Sequence, residues 1–192
     1  LDMSTMPKSP FTDVVAGSWY FDAALYASSH NLMLGTSPTE FSPNITMTRG
    51  MLVTVLYRMN GSPSVSGKTP FTDVRTDEWY SAAVLWAYQN GIVTGMSDTT
   101  FAPINNVTRE QMATILFRYT KTAAPDKAKA SADLSGFADA GSVNDWAVDA
   151  MRWAVGQKLI AGITLEQSVY LQPRGNATRA QAATVLTRYY AQ

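Results

Sequence analysis

Shifting the chain by 60 residues lays Phe11-Thr12-Asp13-Val14 on Phe71-Thr72-Asp73-Val74. The same shift lays Trp19-Tyr20 on Trp79-Tyr80, Gly35 on Gly95, Phe41 on Phe101, Thr48-Arg49 on Thr108-Arg109 and Arg58 on Arg118. No gap is needed between 11–61 and 71–121, and 19 of the 51 pairs are identical, which composition alone does not produce. A third copy opens at Phe137 and carries Asp139, Trp146, Gly162, Thr178-Arg179 and Arg188. It needs one extra residue before Trp146 and a few more before Pro173. An internal repeat restricts the fold more than any other feature of a sequence. A unit of about 50 residues can barely bury a core alone, so the copies are expected to pack around a shared axis.

The expected organisation is a leader at 1–10, repeats at 11–61, 71–121 and 137–191, and linkers at 62–70 and 122–136. The first linker is rich in Gly, Ser and Pro, and the second in Ala, Lys and Asp, compositions that read as connectors. Each copy shows two helical patterns. In the first, Trp19, Ala23, Tyr26 and Ala27 recur as Trp79, Ala83, Trp86 and Ala87, then as Trp146, Ala150, Trp153 and Ala154. Spacing of i, i+4, i+7, i+8 places each set on one helix face, with the leading Trp expected in the core. These faces have no evident partner, so the three first helices are expected to form a central bundle. The second pattern follows Thr-Arg: Met51, Leu52, Val55, Leu56; Met112, Ile115, Leu116, Tyr119; Ala182, Val185, Leu186, Tyr189. Almost nothing reads as a strand, so the fold class is mainly α.

Composition removes several function classes. Fifteen basic and fifteen acidic residues cancel, which argues against a nucleic-acid binder with a basic face. Cysteine is absent, which excludes disulfides, thiolate metal sites and cysteine nucleophiles. No apolar run reaches the roughly 20 residues that span a bilayer, and no signal peptide is visible at the first residues. The chain begins with Leu and reads as a piece of something longer.

The repeat resembles the S-layer homology domain, whose copies run Phe-x-Asp-Val, a Trp-led helix, a Gly-containing loop, Phe-x-Pro and Thr-Arg-Ala-Glu. Here the last motif stands as Thr48-Arg49-Gly50-Met51, Thr108-Arg109-Glu110-Gln111 and Thr178-Arg179-Ala180-Gln181, never with the final Glu. The third copy offers Tyr170-Leu171 before Pro173 in place of the loop Phe. The resemblance implies three tandem copies in a pseudo-threefold, three-pronged body. It also implies attachment of surface-layer proteins and exoenzymes to secondary cell-wall polysaccharide, often pyruvylated, in grooves between copies. The implied location is the cell wall of a bacterium, and the implied partner is that glycan, with peptidoglycan as a second choice. A larger surface protein is expected to be attached.

Thr48, Thr108 and Thr178 read as helix N-caps, with Gln111 and Gln181 completing capping boxes that Met51 cannot. Arginine in a first helical turn opposes the helix dipole, yet Arg49, Arg109 and Arg179 all stand there. Beside free N–H groups their planar forks suit a carboxylate, so they are the leading ligand contacts. The alternative is a salt bridge to Asp13, Asp73 or Asp139 that locks copies together. Those aspartates read as turn formers, with groove lining as a second role. Trp19, Trp79 and Trp146 are candidates for sugar stacking as well as for the core. Gly35, Gly95 and Gly162 end the first helix or turn its loop. The resemblance places their backbone along the groove, so that an added side chain would block ligand without unfolding the protein.

No catalytic constellation, metal site or cofactor is expected. His30 is the only histidine, has no counterpart in the other copies, and reads as an exposed residue near a helix end. No acidic pair stands apart from the repeated framework. The other rival is a helical scaffold that binds protein, which would carry a large exposed apolar patch.

Overall fold

The computed structural model describes residues 9–129 and 131–191, so most of the expected leader lies outside the described residues. Among the described residues six α-helices follow the predicted order: α1 (Phe21–Ser29), α2 (Arg49–Met59), α3 (Ser81–Gln89), α4 (Arg109–Ala123), α5 (Val148–Gly156) and α6 (Arg179–Tyr190). A short hairpin, β1 (Ile163–Leu165) and β2 (Ser168–Tyr170), completes a mainly α chain. The hairpin is antiparallel, with Ile163 opposite Tyr170. It accommodates the extra residues of the third copy, and three-residue strands are too short to show an alternating pattern.

The second helix of each copy starts where the sequence places it. Thr48, Thr108 and Thr178 have extended backbone and accept at Oγ1 from the N–H of Met51, Gln111 and Gln181. Gln111 and Gln181 return a bond to the threonine N–H at 3.2 and 3.1 Å, closing the expected capping boxes. The apolar faces behind these caps are buried, Leu52 and Leu56 in α2, Met112 and Leu116 in α4, Ala182 and Leu186 in α6.

Two compact units form along the chain, one from residues up to 46 together with those from 178 onward, the other from 47–177. In the first unit α1 packs on α6; in the second, α3 packs on α2 and α5 on α4. The alanine faces of the first helices therefore do have partners. Ala27, then Ala83 and Ala87, then Ala150 and Ala154 are buried, whereas Ala23 is half-buried and its neighbour Ala24 is buried instead. Each lies on a second helix from a different copy, where alanine permits close approach to aliphatic side chains. This replaces the expectation that those faces have no partner other than one another.

Within the unit 47–177, three equivalent residues close a ring of backbone hydrogen bonds. The Met47 N–H donates to Ala177 O (2.8 Å), the Ala177 N–H to Val107 O (2.9 Å), and the Val107 N–H to Met47 O (2.9 Å). All three residues are fully buried. The segment expected as the second linker is tied down as well. It begins inside α4 and continues into a 3-10 turn, Pro125–Ala128, where the Lys127 carbonyl accepts from Trp153 Nε1 at 2.9 Å.

Candidate functional site

Each copy builds the same clamp on its proline loop. Asp13 accepts from the N–H groups of Phe41 and Ser42 (2.8 and 2.7 Å), and Asp73 from those of Phe101 and Ala102 (2.9 and 2.7 Å). Asp139 does the same for Leu171 and Gln172 (2.7 and 2.8 Å). Ser42, Ala102 and Gln172 take left-handed backbone, with φ of 55°, 58° and 49°, where the two N–H groups converge on one carboxylate. The aspartates thus close a turn, as their residue type suggests.

The arginines hold the other side of the same residue. Arg49 Nε donates to Phe101 O (2.8 Å), Arg109 Nε to Leu171 O (2.7 Å) and Arg179 Nε to Phe41 O (2.9 Å). Arg179 also donates to Leu34 O at 2.6 Å. The guanidinium carbons of Arg49 and Arg179 lie 4.7 and 4.9 Å from the ring centroids of Phe101 and Phe41. Burial pushes all three guanidinium groups below their ordinary pKa, opposed by Asp73, Asp139 and Asp13 respectively. They remain cations at neutral pH. Among the described residues no ion pair joins Arg49, Arg109 or Arg179 to Asp13, Asp73 or Asp139, so the alternative of a direct Arg–Asp bridge is replaced by two groups gripping one loop residue.

The helix N-termini are not free to take an anion. The N–H groups of Arg49 and Gly50 donate to Asn105 and Pro103 carbonyls, and those of Arg109 and Glu110 to Gly175 and Pro173. Those of Arg179 and Ala180 donate to Ile45 and Pro43. With threonine on the third amide, the N–H groups expected to face a ligand are occupied by protein. Spacing along one copy could not show this, because the carbonyls come from another.

A concave site that draws on all three copies lies wholly within the unit 47–177. A groove of about 380 Å³ is lined by Arg49, Val93, Thr94, Gly95, Met96, Gln111, Thr114, Ile115, Arg118 and Trp146. The first copy contributes Arg49, the second its glycine loop and α4, and the third Trp146. Two cations, an indole and loop backbone face this space, and its lining includes no acid. Such walls suit a polar ring that carries negative charge. The sequence shows Arg118 recurring as Arg58 and Arg188 but gives it no role, because no spacing sets it beside Trp146. Its Nη1 donates to Thr94 Oγ1 at 3.4 Å on the groove wall.

The leading tryptophans are not core residues. Trp19, Trp79 and Trp146 are 66, 58 and 54% exposed, whereas Trp86 and Trp153 are buried. The helices begin two residues after each leading Trp, so the i, i+4 register does not apply to it. His30 is exposed, as expected, and its ring stacks on Tyr26 with centroids 3.9 Å apart.

The glycines turn the loop instead of ending the helix. Gly95 and Gly162 have φ of +85° and +80°, and a Cβ on Gly95 would meet Ser97 O at 2.5 Å and the Phe71 ring at 2.6 Å. A Cβ on Gly35 would meet Glu40 O and the Phe11 ring, both at 2.7 Å. A side chain at these positions therefore strains the loop, and the expected block of ligand without structural damage is not available there.

A family model of the S-layer homology domain matches residues 10–50, 70–113 and 136–183. An endoglucanase of Bacillus sp. (strain KSM-635) is 34% identical over 93% of this chain and 18% of its own length. An amylopullulanase of Thermoanaerobacterium thermosulfurigenes is 28% identical over 92% of this chain and 9% of its own. The surface-layer 125 kDa protein of Lysinibacillus sphaericus is 32% identical over 80% of this chain and 12% of its own. The chain thus spans less than a fifth of each of these relatives.

Proposed function

The chain belongs to the S-layer homology domain family, and from that membership we propose that it is a non-catalytic module anchoring a bacterial surface protein to the cell wall. Its ligand is an anionic secondary wall polysaccharide, of which a pyruvylated glycan is the leading form. The observation that carries this reading is the groove in which Arg49, Arg118 and the exposed Trp146 face one space with no acid on its walls. A ketal carboxylate meets a guanidinium edge, and the sugar ring lies against indole. Arg109 and Arg179 carry the same clamp as Arg49, and Trp19 and Trp79 are exposed like Trp146, so these residues are proposed to serve the same ligand class. The relatives support a portable module, since an endoglucanase, an amylopullulanase and a surface-layer protein share this segment within much longer chains. A larger attached protein and an extracellular wall location belong to the same proposal.

Sedimentation of the chain with cell walls, before and after chemical removal of their secondary polysaccharide, tests it. Binding that disappears on stripping is the expected result. Binding that survives points to peptidoglycan or a wall protein and overturns the glycan assignment.

A further inference from the structure

The three copies diverge at the residue after the arginine, which is Gly50, Glu110 or Ala180. Gly50 is covered by Tyr80: a Cβ there would meet Tyr80 at 3.4 Å and Pro103 O at 3.0 Å. In the third copy the residue corresponding to Tyr80 is Ala147, and one residue is inserted before Trp146. A large side chain has been exchanged for a small one opposite α4. Glu110 stands at that place and is 2% exposed.

A buried carboxylate is costly unless it is well bonded. Among the described residues no ion pair includes Glu110. Both of its oxygens are spent on one residue: Oε2 accepts from the Asn144 N–H at 3.0 Å, and Oε1 from the Asn144 side-chain amide. Asn144 Oδ1 in turn accepts from Arg174 Nη2 at 3.3 Å. Asn144 is the N-cap of the 3-10 turn Asp145–Ala147, whose middle residue is Trp146. The tie therefore ends two residues from the indole that lines the groove.

We propose that Glu110 is a positioning residue for this groove, holding Trp146 opposite Arg49 and Arg118 by clamping Asn144. The groove is thereby tuned to a ligand that presents a carboxylate and a flat sugar face together. This deepens the anionic-glycan reading and rests on it for the ligand, though not for the clamp. A surface indole on an untethered turn would sample many orientations, and fixing it beforehand lowers the entropy lost on binding.

The test uses the chain with Trp19 and Trp79 changed to Phe, which leaves Trp146 as the exposed indole beside buried Trp86 and Trp153. Time-resolved fluorescence anisotropy reads the motion of Trp146, and titration with a pyruvylated methyl hexoside reads affinity, with the unpyruvylated hexoside as control. Glu110→Ala is expected to add fast depolarisation and to weaken binding about tenfold, a typical coupling for residues in one network. Glu110→Gln keeps one acceptor for Asn144 and turns the other contact into donor against donor, so it is expected to fall between the parent and Glu110→Ala in both readouts. In the chain with its natural tryptophans, Glu110→Ala combined with Trp146→Ala is expected to bind no worse than Trp146→Ala alone. If Glu110→Ala fails to fold, Asn144→Ala, which removes only the side-chain half of the clamp, is expected to loosen the indole to a lesser degree. Unchanged depolarisation, or losses that simply add, overturns the proposal. Loosening of Trp146 in a chain that does not bind the hexoside at all would sustain the clamp and overturn the glycan reading.

Discussion

Asp73 and Arg49 hold Phe101 from opposite sides, and the pairs Asp139–Arg109 and Asp13–Arg179 hold Leu171 and Phe41 in the same way. Removing the carboxylate leaves two part-buried N–H groups without their acceptor, so Asp73→Ala is expected to cost about 2 kcal/mol in urea unfolding. Arg49→Ala is expected to destabilise by a similar amount, about 1–3 kcal/mol, because the Phe101 carbonyl loses a charged donor. Arginine-to-alanine exchange at the Thr-Arg motif therefore mixes stability with ligand contact. Arg118→Ala is the cleaner probe. Its stability is expected to stay within about 0.5 kcal/mol of the parent, while retention on unstripped walls falls. Ala102 occupies left-handed backbone without being glycine, so Ala102→Gly is expected to raise stability by about 0.5–1 kcal/mol, read from the urea midpoint.

At the scale of the element, the second helices were legible because their signals are local. Threonine, the residue three positions on and the apolar stripe all lie within one turn or two of each other. The missing half of one capping box gives a direct check. Met51→Gln is expected to complete the box on α2 and to raise the melting temperature, by a gain of about 0.5 kcal/mol. The first helices were legible in their bodies and not at their starts. Tyr20, Tyr80 and Ala147 stand at the N-cap positions with no side-chain cap, so nothing local marked the boundary. Extending the apolar register one turn too far placed Trp19, Trp79 and Trp146 in the core, where the structure leaves them in solvent.

At the scale of the molecule, the repeat announced that the copies depend on one another but not which helix meets which. Helix pairing joins a first helix to the second helix of another copy, α3 to α2 and α5 to α4 in one unit, α1 to α6 in the other. The buried ring of Met47, Val107 and Ala177 has a consequence for hydrogen exchange. Its three amides are expected to exchange only through global unfolding of the unit 47–177, with protection that tracks the stability measured in denaturant. Exchange faster than that limit would show that the ring opens locally.

The sequence alone determined the number of copies, the mainly α class, the capped second helices and the identity of the recurring polar residues. These follow from contacts within one copy, whose spacing is written along the chain. Tertiary structure decided what those polar residues touch. The carbonyls that occupy the helix N-termini, the loop residue held between Asp and Arg, and the groove shared by Arg49, Arg118 and Trp146 all join different copies. The arginines and helix starts lie more than 50 residues from the carbonyls they meet, and even Arg118 and Trp146 are 28 apart, beyond the reach of helical periodicity. For a hydrogen bond or a groove wall, distance in space counts and separation along the chain does not.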